Sequence, residues 1–138
     1  MFDLTGRVSL VSGAASGMGK AVAMAVAEAG SDVVLADINE AGAEATAQEI
    51  QALGRRALPV VCDISSPDAI RAMFAKIDET FGQIDFVANI AGEAVRKKPE
   101  VIELEEVEWT WRNIVYGRFC ICQEACLLYT SPSPRDRG

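Results

Sequence analysis

No histidine occurs anywhere in the 138 residues, and the only cysteines are Cys62, Cys120, Cys122 and Cys126. Without imidazole the common zinc sets cannot be completed, and C-x-C-x3-C on one helix cannot close a tetrahedron unaided. The four thiols are therefore expected to be buried among apolar neighbours, a metal site needing ligands from elsewhere. Long apolar runs are missing too. None approaches the roughly 18 residues of a membrane span, and Met1-Phe2-Asp3-Leu4-Thr5-Gly6 has neither the basic segment nor the apolar stretch of a secretory leader. A cytoplasmic protein without a membrane partner is expected. Positive charge is scarce: 13 Lys and Arg face 20 Asp and Glu, and the formal net charge of −7 argues against nucleic acid or anionic membrane as partner. No internal repeat is visible, and no low-complexity segment precedes Thr130. The length allows one small domain but falls short of a full cofactor-plus-substrate enzyme of most α/β kinds.

What is present points to a packed core, since half of the residues are hydrophobic and 24% are charged. Continuous apolar runs alternate with helical patterns, the arrangement of a parallel sheet covered on both faces. Strands are expected at Val8–Val11, Val33–Ala36, Ala57–Cys62 and Ile84–Ala88. The first helix, from about Gly17, carries Met18, Ala21, Val22, Ala25 and Val26 at i, i+3, i+4 spacing and stops at Gly30. A second spans Glu40–Leu53. The third starts from Ser65-Ser66-Pro67-Asp68, which offers a hydroxyl cap, a proline at the first helical position and an early acid. Its core stripe is Ile70, Met73, Phe74, Ile77 and Phe81. A last helix is expected from about Leu104 through Ala125.

Between the first strand and the first helix lies Ser12-Gly13-Ala14-Ala15-Ser16-Gly17-Met18-Gly19. Glycines there let the backbone approach a pyrophosphate, and the helix N-terminus offers unpaired N–H groups and a positive dipole end. In a parallel sheet ligands collect at the C-terminal strand ends. The other three strands end in Asp37, Asp63 and Asn89-Ile90-Ala91-Gly92, so all four could serve one site. Asp37 lies eighteen positions after Gly19, near the spacing at which a carboxylate reaches the adenosine ribose. That favours NAD; neither Ser16 nor Ile38 supplies the cation a 2′-phosphate would need. Asp63 could accept from the adenine amino group with Ile64 covering the ring, or could simply be a turn residue.

From about Leu4 to about Ala125 these residues resemble the short-chain dehydrogenase/reductase family. Ser12–Gly19 stands for its T-G-x-x-x-G-x-G, Cys62-Asp63-Ile64 follows the third strand, and Asn89-Ile90-Ala91-Gly92 stands for its N-N-A-G, with Ser12 and Ile90 as departures. The resemblance implies a Rossmann-like, doubly wound α/β sheet, here incomplete with about four strands. It implies hydride transfer between a nicotinamide and a small-molecule alcohol or ketone. It also implies that Gly13, Ser16, Gly17, Met18, Gly19, Asp37, Ile38, Asp63, Ile64, Asn89, Ala91 and Gly92 bind the cofactor. By analogy Asn89 supports the sheet edge and the cofactor's central region. The parent protein would be a homodimer or homotetramer, in which Trp109 and Trp111 pack or form interfaces rather than anchor substrate.

The family's Tyr-x-x-x-Lys proton donor is not found, because Tyr116 is followed by Cys120 and Tyr129 by Ser133. Its helical catalytic Asn normally stands three residues before a Gly. Here Asn113 stands four before Gly117, so an α-helix would turn it by about 100° from the expected direction. Either the helix slips and Asn113 is the catalytic candidate, or a residue has been lost and it is a plain surface Asn. Arg96-Lys97-Lys98 reads as a solvated loop or as a rim beside the substrate entrance. Residues 1–125 are taken as the NAD-binding unit. Residues 126–138, which include Thr130-Ser131-Pro132-Ser133-Pro134-Arg135-Asp136, resemble a translated sequencing adaptor and read as a non-native tail, or else as a disordered one. A non-catalytic dinucleotide-binding module is the alternative function, and a methyltransferase fits the Asn89–Gly92 segment poorly.

Overall fold

Strands too apolar to have a solvent face must be covered on both sides, and this requirement shapes the molecule. The computed structural model describes residues 2–130. Strands β1 (Val8–Ser12), β2 (Asp32–Asp37), β3 (Ala57–Val61) and β4 (Phe86–Asn89) form one parallel sheet in the order β3-β2-β1-β4. Side chains alternate between two cores, as period two dictates. Val8, Leu10, Val34 and Ala36 face helices α3 (Pro67–Thr80) and α5 (Gly117–Thr130), where they meet Ile70, Met73, Ile77, Cys120 and Ile121. Val11, Val33 and Leu35 face α1 (Gly17–Glu28) and α2 (Glu40–Ala52), where they meet Ala23, Ala27, Ala47 and Ile50. The sheet is thus doubly wound and Rossmann-like. Leu10, Leu35, Ile50, Ile70 and Ile77 are fully buried. Each stabilises by roughly 1.5–3 kcal/mol, against about 0.2–1 kcal/mol for an exposed ion pair such as Lys20–Glu49. Apolar burial holds this fold.

The start of α3 follows its local signals, with the Ser66 hydroxyl accepting from Ala69 N at 3.2 Å and Pro67 in the first turn. Three other expectations need correction. In α1 the buried stripe is Gly19, Ala23 and Ala27; of the expected stripe Val22 and Val26 are half-buried and pack against the same core, while Met18, Ala21 and Ala25 are exposed. Nearly every residue of that helix is apolar, so periodicity cannot choose a face; the sheet selects the smallest side chains, which permit the closest approach. The helix expected over 104–125 is α4 (Leu104–Trp111), a five-residue π-helical turn (Arg112–Tyr116) and then α5. α5 runs to Thr130, so the boundary drawn after Ala125 falls inside it, and residues 131–138 lie outside the described residues. Lastly, Cys62 and Cys120 are buried, whereas Cys122 and Cys126 are exposed. No helix among the described residues is long and apolar enough to cross a membrane.

Candidate functional site

Parallel register aligns the strand ends: Ser12 lies opposite Ala36 on one side and Asn89 on the other, and Asp37 opposite Val61. Along this edge runs a cleft of about 520 Å³, within the range of small-molecule sites. Its centre is the glycine turn. Gly13 N donates to Ala36 O at 2.8 Å, Ala15 N to Asp37 Oδ2 at 2.9 Å, and Thr46 Oγ1 to Ala14 O at 3.1 Å, which pins the turn to β2 and α2. Gly13 has φ +76°, a conformation L side chains rarely adopt. A Cβ on Gly19 would overlap the Gly13 carbonyl oxygen, so helix and turn touch backbone to backbone. The first helical hydrogen bond runs from Lys20 N to Ser16 O, and the Ser16 side chain makes no cap. The earlier N–H groups of α1 therefore lack intrahelical acceptors, at a point where Ser16, Met18 and Gly19 line the cleft. Gly17 does not line it; its φ of +56° serves the turn.

On the β2–β3 side the cleft is lined by Asp37, Ile38, Asn39, Cys62, Asp63, Ile64 and Ser65. Asp37 accepts from Ala15 N through Oδ2 and from Asn39 N through Oδ1, at 2.9 Å each. A carboxylate offers about four acceptor positions, so it can still take a ligand hydroxyl. Asp63 Oδ1 accepts from both the N and the Oγ of Ser65, a turn role that coexists with its place on the cleft. Burial pushes the Cys62 thiol up to about 11, with the Asp63 charge adding to it. At neutral pH that sulfur is protonated and forms an inert wall.

On the β4 side stand Ile90, Ala91, Gly92, Glu93, Trp109 and Asn113. Buried Ser12 accepts from Ile90 N at 3.0 Å and Ala91 N at 3.1 Å through its hydroxyl, fixing the loop after β4. Asn89 does not line the cleft. Its Nδ2 donates to Arg118 O and Cys122 Sγ, both at 3.3 Å, which ties β4 to α5. Asn113 is the largest departure from expectation: it is 8% exposed, reaches the cleft, and donates to Trp109 O at 3.1 Å. The expected 100° displacement assumed α-geometry through Gly117. The π turn, with i→i+5 bonds, takes up one additional residue. Gly117 itself is seated against the Ile64 carbonyl, so closely that an added Cβ would overlap its oxygen. Trp109, 41% exposed, lines the cleft rather than packing away from it, while Trp111 is exposed beside Tyr116 at 6.5 Å between centroids. Lys97 pairs with Glu106, so the basic loop is tethered to α4. Sequence reasoning gave Trp109 a packing or interface role and did not assign Asn39, Ser65 or Glu93 to the site, although each follows within two residues of one it did assign, Ile38, Ile64 or Gly92. Arg118, which bonds the loop after β4 without lining the cleft, carries no such signal.

A family model described as enoyl-(acyl carrier protein) reductase matches residues 13–132. A short chain dehydrogenase/reductase (astE) of Aspergillus oryzae is 36% identical over 124 residues, covering 87% of this chain and 47% of its own length. The crystal structure of a short-chain type dehydrogenase/reductase from Mycobacterium marinum superposes with TM-score 0.87 at 35% identity, over 92% of this chain and 51% of that one. A 7α-hydroxysteroid dehydrogenase solved with NADH and 7-oxo glycochenodeoxycholic acid superposes with TM-score 0.86 at 30% identity, over 91% and 49%. The chain spans about half the length of the curated relatives it matches.

Proposed function

This chain belongs to the short-chain dehydrogenase/reductase family, and from that premise we propose that it is the NAD-binding part of an oxidoreductase acting on a small alcohol or ketone. The nicotinamide, when bound, supplies or accepts the hydride. Holding that cofactor falls to the chain's own residues. Gly13 and Gly19 leave room for the pyrophosphate and the start of α1 offers it N–H groups. Asp37 takes the adenosine ribose hydroxyls, Asp63 and Ile64 take the adenine, and Ile90–Gly92 wall the second nucleoside. Asn113 holds the helical position from which the family's catalytic Asn acts. A cytoplasmic homodimer or homotetramer would use the apolar side chains that α4, the π turn and α5 expose, Trp111, Val115 and Phe119 among them.

The observation that carries the choice of NAD is Asp37, set at the strand end beside the open start of α1. A carboxylate accepts from two ribose hydroxyls and repels a 2′-phosphate. Calorimetric titration of the chain is expected to show NADH binding at least tenfold more tightly than NADPH. D37A should narrow that ratio and D37R reverse it, because a guanidinium pairs with a phosphate. Since Asp37 also holds Ala15 N, each variant is compared with its own thermal melt. Equal affinity of the unaltered chain for the two cofactors would sink the NAD assignment.

No Tyr in this sequence is followed four positions later by Lys. The 138-residue chain is therefore expected to bind cofactor without turning over, the behaviour of a dinucleotide-binding module. Loss of acid–base catalysis alone costs about 10²–10⁴ in rate. An NADH absorbance assay with a panel of secondary alcohols checks this. Turnover by the chain alone at the rate of a full-length relative would refute it.

A further inference from the structure

We propose that Arg118 is a positioning residue for the β4 half of the cleft. The proposal rests on the dinucleotide reading and adds which half of the ligand the residue serves. The loop after β4 is braced from two opposite sides. Ser12 Oγ takes the N–H groups of Ile90 and Ala91, while Arg118 donates from Nε to Ala91 O at 3.2 Å and from Nη2 to Ile90 O at 3.4 Å. One hydroxyl and one guanidinium thus hold both polar groups of the same two residues. The planar fork of Arg suits two neighbouring carbonyls, which a single ammonium matches less well. Among the described residues no carboxylate forms an ion pair with Arg118, so its directional bonds go to this loop. Its root is fixed as well, because it follows Gly117, which is seated against Ile64 O. A Cβ on Gly92 would stand 3.2 Å from Nη2, so the guanidinium backs the wall that Gly92 presents to the cleft.

Strand order decides which part of a ligand meets that wall. Asp37 and Asp63 lie on the β2–β3 side, the glycine turn in the middle and Ile90–Gly92 on the β4 side. A dinucleotide with its adenosine at Asp37 and its pyrophosphate at the turn lays its second nucleoside along Ile90–Gly92. ADP ends before it.

Dissociation constants for ADP and NADH, with thermal melts, are to be measured on the whole chain and on R118M, R118K and S12A. R118M is expected to weaken NADH about tenfold, the effect of one lost charge-assisted bond, and to leave ADP within about twofold. R118K should recover NADH to within about threefold. S12A, which removes the opposite brace, should repeat the selective loss and keeps the test available if R118M does not fold. NADH binding by R118M equal to the unaltered chain would overturn the proposal, as would an equal loss of ADP and NADH in the folded variants. Failure of the unaltered chain to bind either nucleotide would instead bring down the dinucleotide reading itself.

Discussion

Replacing Gly19 by alanine is expected to abolish nucleotide binding and to destabilise the chain by about 3 kcal/mol, the upper end for overpacking a close contact. The added Cβ would overlap the Gly13 carbonyl oxygen and stand 2.5 Å from its carbon and 3.1 Å from Ala14 N. All three atoms are backbone, so no side chain can rotate away. Either α1 lifts from the sheet, opening the layer around Ala23 and Ala27, or the turn leaves its hydrogen bonds to Ala36 and Asp37. Both outcomes remove the bed for a pyrophosphate. A fall of roughly 10 °C in the melting temperature corresponds to that loss at this size. Gly17 is the control: a Cβ there meets nothing within 4 Å, and only its φ of +56° is strained. G17A should cost about 1–2 kcal/mol and keep ADP binding. G19A that melts within 2 °C of the unaltered chain and still binds ADP would show the contact to be dispensable.

A comparable loss, at a position that looks unremarkable in the sequence, is expected for Gly117→Ala. Its Cβ would overlap the Ile64 carbonyl oxygen and stand 2.9 Å from the carbonyl carbon. α5 would have to move off the end of β3, drawing away Cys120 and Ile121, both in the core, and Arg118 from the loop after β4. About 3 kcal/mol is again expected, and thiol chemistry reads the movement directly. In the unaltered chain Cys122 and Cys126 are exposed and should react promptly with an aromatic disulfide reagent, while buried Cys62 and Cys120 stay protected. In G117A all four should react. Two protected thiols in G117A would mean that α5 keeps its seat and that the contact yields elsewhere.

Apolar runs, helix starts and acids at strand ends are local patterns, and they alone determined much of this protein. They implied the alternating α/β architecture, the glycine turn leading into α1, and the shared edge of Asp37, Asp63 and Asn89–Gly92. Neighbours in the chain are enough for such features. The face that α1 buries was legible only in part: Val22 and Val26 do pack against the core, but Met18, Ala21 and Ala25 are as apolar as Ala23 and Ala27, and only the approach of the sheet separates them. Asn113 shows the limit most clearly. Counting residues on an ideal helix turns it away from the site, yet the seat of Gly117 against Ile64, far away in the chain, holds one end of the turn while a π-helical widening takes up the odd residue. Arg118 follows directly on that seat, and Asn89 turns to α5 through its bonds to Arg118 O and Cys122 Sγ. These are contacts between segments distant in sequence, where backbone meets backbone and the room for a single Cβ decides the geometry, so tertiary packing alone could settle them.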